Sequence, residues 1–225
     1  LLPGRAHKWV GKAQATDRIE AIVTAAEPIY ADDVRLPGML FGAAIHPDTV
    51  DGTIGAVDDR ACRKIPGYIG MRRDGGFIGM LAERRGALSK ALSVLKVTME
   101  TGAGADDAGI ARAMNINNAL ADGALEHVLK NDKMDPVADY DVDLILEVPM
   151  AAHVAMEPRT AVARFLGGKL EIWTGTQDVF FVRGVVADQL HLSESDVVVH
   201  GMRTGGAFGG RTICTVELEA ARLAR

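Results

Sequence analysis

Four glycines fall within the six residues from Gly205 to Gly210, and Arg211 follows them directly. The run sits between a strand predicted from Asp196 to Met202 and a helical pattern carrying Glu217 and Glu219 in its early turns. Glycines at such a junction let backbone N–H groups approach a ligand without interference from a Cβ. A helix N-terminus at the same place would add partial positive charge, which suits a phosphate or an anionic cofactor group. The run fits neither the G-x-G-x-x-G dinucleotide fingerprint nor a phosphate loop ending in Gly-Lys-Ser/Thr. A tight turn packing strand closely against helix accounts for the same glycines equally well.

The rest of the chain reads as mixed strand and helix. Residues 17–46 alternate loosely and are punctuated by Pro28, Pro37-Gly38 and Pro47, a pattern of strands joined by turns. Gly75-Gly76 opens the compact apolar run Phe77 to Ala82, which predicts a buried strand. Leu88, Ala91, Leu92 and Leu95 repeat at helical spacing through Lys96. A longer helix is predicted from an Asp106/Asp107 cap through Ile110, Met114, Leu120 and Val128, interrupted by Gly123. From Tyr140 to Val148 apolar and polar residues alternate with period two, the strongest strand signal in the chain. A domain boundary is therefore placed near residue 137. Beyond it, Ala161 to Phe165 and Leu170 to Trp173 flank Gly167-Gly168 as a hairpin, and a helix is predicted from Asp178 to Leu190.

Composition narrows the function classes. At 225 residues the chain can bury a real core, and no apolar run is long enough to span a bilayer as a helix. With 25 Lys+Arg against 30 Asp+Glu, there is no cationic excess to displace counterions from phosphates, and nucleic acid is disfavoured. The two cysteines, Cys62 and Cys214, form no C-x-x-C pair, which argues against an iron–sulfur cluster or a zinc ribbon within this chain and for buried apolar thiols. Two cysteines are compatible with one disulfide or none, hence with periplasm or cytoplasm. Leu1 at one end and a helical pattern running into Arg225 at the other are the marks expected of a segment of a longer polypeptide.

Other polar features read more plainly. His153 and Glu157 are four apart in an apolar stretch and are expected to hydrogen-bond locally. Asp139, Asp141 and Asp143 share the outer face of the period-two strand, and Arg72-Arg73-Asp74 and Glu83-Arg84-Arg85 read as surface clusters. Gln177, after Trp173-Thr174-Gly175-Thr176, offers an uncharged amide that can donate or accept.

In order along the chain, these pieces resemble the large, molybdenum-cofactor-binding subunit of the xanthine dehydrogenase/aldehyde oxidoreductase family. Val23-Thr24-Ala25, Tyr30 to Leu40 and Ile65-Pro66-Gly67 are similar to its small "hammerhead" domain. Ala152-His153 with Met156-Glu157-Pro158, then Trp173 to Gln177, then Gly205 to Arg211 resemble the start of its cofactor-binding region. The passage from Pro66 to Arg84 looks most like the branch of isoquinoline 1-oxidoreductase, nicotinate dehydrogenase and aldehyde dehydrogenase β-subunits.

The resemblance implies an α+β fold: a hammerhead-type domain over residues 1–137, followed at 138–225 by the first part of a molybdopterin-binding domain. It implies a molybdenum–molybdopterin cofactor, in the cytosine dinucleotide form, held through the pterin dithiolene and not by a protein ligand. Its cofactor-binding positions here are Gln177, Gly205, Gly206, Ala207, Phe208, Gly209, Gly210 and Arg211. Gln177 matches the glutamine whose amide bonds to a terminal ligand of the metal, and Phe208-Gly209 the pair lying against metal and pterin. The family's general base lies beyond Arg225, so the segment alone is expected to be inactive. The partners implied are a small [2Fe-2S] subunit, the remainder of the large subunit and a cytochrome c as electron acceptor. The activity implied is oxidation of an aldehyde or N-heteroaromatic substrate with water-derived oxygen. A non-catalytic nucleotide- or phosphate-binding module and an assembly scaffold for an iron–sulfur subunit are the competing readings. Ala207 stands where many relatives carry a third glycine, Thr212 where purine hydroxylases carry an acid, and Thr24-Ala25 where Thr-Gly is usual.

Overall fold

The structure, a computed structural model, describes residues 11–12, 22, 24, 28–49, 51–100, 102, 106–123, 144, 146, 148–149 and 151–225. In the first part, β1 (Phe41–Ala44), β3 (Tyr68–Asp74) and β4 (Phe77–Ala82) form an antiparallel sheet of order β1-β4-β3, and β2 (Thr53–Asp58) pairs antiparallel with β5 (Lys96–Glu100). The expected strand Phe77 to Ala82 is β4, the centre of its sheet, with side chains buried on both faces. Gly75-Gly76 is the two-residue turn of the β3–β4 hairpin, closing the pair Asp74–Phe77. Helix α1 (Arg85–Val94) lays Ala87, Leu88 and Ala91 over Met80, Ala82 and Cys62. It stops at Val94, where the periodicity predicted continuation through Lys96; Leu95 takes an extended conformation and Lys96 starts β5. Pairing with β2 outweighs the helical spacing of one more leucine.

The second predicted helix divides. Asp106 caps α2 (Asp107–Met114) through Gly109 N–H. Asn115 breaks it in an extended conformation, and its side chain accepts from Asn117 and Asn118 N–H to open α3 (Ile116–Ala121). An asparagine that competes for backbone donors starts a new helix more readily than it continues an old one. Gly123 follows with φ of 64°, and the expected continuation to Val128 lies outside the described residues. So does most of the period-two tract at 140–148; its described members Leu144, Leu146 and Val148 are in no strand and are exposed. Alternation marks a strand only where a partner edge and a core receive it.

The last part carries the site. β6 (Ala161–Leu166) and β7 (Lys169–Thr174) form the predicted hairpin around Gly167-Gly168, whose φ values of 60° and 83° suit a tight two-residue turn. Helix α4 (Val179–Leu190) crosses back to β8 (Val197–Gly201), which runs parallel to β7. Helix α5 (Val216–Ala224) packs on β6 and α4. Leu170, Ile172, Val182, Val186, Leu190, Val197 and Ala221 form the core between sheet and helices. α5 also reaches the first sheet: Leu223 fills the space over Gly42 and Gly79, where an added Cβ would stand 2.5 Å and 2.6 Å from its methyl groups. Glycine in β1 and β4 thus admits a close contact between the two sheets' helices and strands.

Both cysteines are free thiols, as expected. Cys62 is buried in the first core and donates to Ala91 O, and burial pushes its thiol pKa up. Cys214 is packed against the second core, and burial with Glu217 nearby pushes its thiol up to about 11.

Candidate functional site

Because β7 and β8 are adjacent and parallel, the chain leaves both at the same edge of the sheet. In such sheets ligands bind at the carboxyl ends of the strands. The loop after β7 is Gly175-Thr176-Gln177-Asp178; the loop after β8 is Met202 to Thr215. Met202 N–H bonding to Thr174 O at 2.8 Å extends the ladder and starts both loops in register.

The first loop is fixed from two sides. Gln177 N–H donates to Arg211 O at 3.3 Å, and Thr176 Oγ1 to the same oxygen at 3.1 Å. Asp178 caps α4, its Oδ1 accepting from Phe180 and Phe181 N–H at 3.0 and 2.9 Å. Between these anchors the Gln177 side chain is exposed, and it has no hydrogen-bond partner among the described residues.

In the second loop, Phe208 has φ of 53° and Gly209 has φ of 88°. The turn is closed by Gly210 N–H to Ala207 O at 2.8 Å and by Thr212 Oγ1 to Gly209 O at 2.7 Å. A phenylalanine in the left-handed region costs on the order of 1 kcal/mol, and here its ring is 71% exposed. Among the described residues, the N–H groups of Gly206, Ala207, Phe208 and Gly209 donate to nothing. Successive free amides at a tight turn are the kind of donor set that can bind an anion.

The segment 153–157 packs across this turn. Glu157 N–H donates to Gly205 O at 3.2 Å and Gly205 N–H to Glu157 Oε2 at 2.6 Å. His153 lies over Gly210, where a Cβ would meet its ring at 3.1 Å. At Gly205 a Cβ would stand 2.6 Å from Glu157 Cβ, so chain packing alone demands glycine there, while at Gly209 a Cβ would meet only His153 Nε2 at 3.9 Å. Gly205→Ala is accordingly expected to cost about 1–3 kcal/mol by overpacking. That would lower the thermal midpoint of the full-length protein by about 2–12 °C. A midpoint within a degree of wild type would mean that Glu157 yields freely.

Two expectations are corrected. Glu157 does not pair with His153; its carboxylate binds Arg211 and Gly205 instead. A buried guanidinium is the stronger partner for a carboxylate than a neutral or exposed imidazole. The helix N-terminus is also displaced. α5 starts at Val216, beyond a turn at 207–213, and its first turn is occupied by its own Glu217, which is 1% exposed and accepts from Thr174 Oγ1 and Arg159 Nη2 at 2.7 and 3.1 Å. The positive pole of α5 is thereby spent on an internal acid, and the glycine turn's polarity comes from its own amides.

All the candidate positions therefore meet at one sheet edge, with one distinction among them. Gln177, Phe208 and Gly209 present free groups outward, whereas the Arg211 side chain is 3% exposed and turned inward. The partnership of Glu157 with Arg211, 54 residues on, was outside the reach of local spacing, although both belong to the motifs quoted above.

A turn of free amides and a free carboxamide thus stand at the end of paired parallel strands in an α+β fold, and comparison with known proteins gives the chain's likenesses. Residues 116–225 match the molybdopterin cofactor-binding domain family. Along its length the chain is similar to molybdenum-cofactor-binding large subunits of the xanthine dehydrogenase/aldehyde oxidoreductase family. It is 28% identical over 231 residues to a subunit of nicotinate dehydrogenase from Pseudomonas putida, covering 97% of this chain and 19% of that protein. It is 27% identical over 225 residues to a membrane-bound aldehyde dehydrogenase of Gluconacetobacter polyoxogenes, covering 94% of this chain and 29% of that one. The fold matches quinoline 2-oxidoreductase from Pseudomonas putida 86 with a TM-score of 0.66 at 20% identity, over 92% of this chain and 32% of that chain. The chain thus spans about a fifth to a third of these proteins.

Proposed function

We propose that this chain is part of the large subunit of a molybdenum hydroxylase that oxidises an aldehyde or N-heteroaromatic substrate with water-derived oxygen. The observation that carries the reading is the free Gln177 carboxamide leaving the same sheet edge as the four free amides of Gly206 to Gly209. That donor set fits an anionic pterin group, because it offers neutral hydrogen bonds, and the carboxylate beside it, Glu157, is paired with the buried guanidinium of Arg211. When bound, the molybdenum–pterin group supplies two-electron redox chemistry that side chains lack. Gln177 would hydrogen-bond a ligand of the metal, and the Phe208–Gly209 turn would hold the group by its amides while the exposed ring shuts out water. Thr212, its hydroxyl turned onto Gly209 O, presents no acid to a substrate, which favours aldehydes and simple heterocycles over purines.

The cytosine dinucleotide form of the cofactor, a [2Fe-2S] subunit, a cytochrome c acceptor and a general base elsewhere in the large subunit complete the proposal, with the hammerhead-like domain at 1–137 and the cofactor domain from 138. The test is elemental and pterin analysis of the full-length protein. Molybdenum and pterin at near-equal, near-stoichiometric amounts are expected; absence of both overturns the reading.

A further inference from the structure

Arg211 is the most heavily bonded side chain at the site, its guanidinium donating to four acceptors of the chain. Nε donates to Gly206 O at 2.9 Å, Nη1 to Gly175 O at 3.0 Å, and Nη2 to Glu157 O and Oε2 at 2.9 and 2.8 Å. Its own carbonyl accepts from Gln177 N–H and Thr176 Oγ1. One residue therefore grips the Gln177 loop through both its side chain and its backbone, and the same fork holds the glycine turn and the segment at 157. The three pieces come from distant parts of the chain, and β-ladder bonds join only the bases of the two loops.

We propose that Arg211 is a positioning residue, an inward-facing latch that fixes the distance between the Gln177 carboxamide and the Phe208–Gly209 amides, with Glu157 as its counter-charge; this rests on the molybdenum-hydroxylase reading above. The planar fork is what the role requires. Four acceptors approach from different directions in one buried pocket, and a lysine ammonium, a point donor on a flexible stem, reaches only part of the set. A displacement of about 1 Å between positioning groups costs on the order of 100-fold in rate, so a latch need touch neither cofactor nor substrate to matter.

The test uses Arg211→Lys and the milder Glu157→Gln in the full-length large subunit with its partner, each in cofactor-free and loaded form. In the cofactor-free form, hydrogen exchange is expected to quicken at least about tenfold at the bonded amide of Gln177 and at those of Gly205 and Gly210 together, and to stay unchanged in α4. In the loaded form, at equal molybdenum content, kcat is expected to fall about 10- to 100-fold with KM within about threefold, and the electron paramagnetic resonance signature of the metal to change shape. Glu157→Gln should show the same pattern at smaller amplitude. Exchange that quickens at only one of the two segments, or a loaded Arg211→Lys protein with wild-type kcat and signature, overturns the inference and leaves the functional reading standing. A wild-type protein holding neither molybdenum nor pterin overturns the functional reading, and the role given to Arg211 falls with it.

Discussion

On the molybdenum-hydroxylase reading proposed above, Gln177→Ala in the full-length protein is expected to slow turnover by about 5- to 150-fold, the rate equivalent of about 1–3 kcal/mol for one hydrogen bond lost at a reacting centre. The side chain can be removed without disturbing the loop that carries it. The bond from residue 177 to Arg211 O is made by backbone N–H and survives in alanine. Thr176 and Asp178 hold the chain on either side through groups the substitution leaves alone. The exposed carboxamide packs into no core, so the thermal midpoint should stay within about 1 °C of wild type, as for a surface change. Gln177→Glu keeps the size but replaces the donor with an acceptor-only carboxylate, and its loss should be at least as large. The measurement is kcat and kcat/KM at matched molybdenum occupancy. Wild-type turnover in Gln177→Ala at full occupancy removes this residue from the site.

What was legible in the sequence was local. The hairpin at Gly167-Gly168, the buried strand from Phe77 and the Asp178-capped helix each carry their signal within about a dozen residues, and each is present. The three cofactor-type motifs were legible too, but only as an ordered set, because none alone excluded a tight turn. The packing view of the glycine run holds at Gly205 and Gly210, where Glu157 and His153 press on them, whereas at Gly209, with φ of 88°, a Cβ would meet only His153 Nε2 at 3.9 Å. What could not be read was long-range. The β2–β5 pairing, which ends α1 early, joins strands with no shared turn, and the bonds from Arg211 to Glu157 and from Thr174 to Glu217 link residues 54 and 43 apart. An arginine beside a glycine turn reads naturally as an anion ligand; only the fold reveals that it bonds three carbonyls of its own chain and the Glu157 carboxylate.

Glu217→Ala is expected to destabilise the cofactor domain by about 3–5 kcal/mol, the cost of leaving the partners of a buried ion pair uncompensated. Glu217 is 1% exposed in the first turn of α5, where an acid is favoured by the helix dipole. Its loss leaves the Thr174 hydroxyl, itself fully buried, without an acceptor, and leaves Arg159 Nη2 with only Ile213 O at 2.6 Å. Arg159 Nε already has no partner among the described residues, so this guanidinium has little to fall back on. For a domain of 150–250 residues, the loss corresponds to a fall of about 6–20 °C in the thermal midpoint. Glu217→Gln keeps an acceptor for Thr174 and gives up only the charge, so about half the effect is expected. Thr174 ends β7 and is followed directly by Gly175 to Gln177, which places this acid beneath the strand end that launches the candidate site. Loss of cofactor should therefore precede global unfolding when Glu217→Ala is heated, seen as molybdenum release below the midpoint. A fall of under about 2 °C would show that α5 and β7 are held by their apolar packing alone.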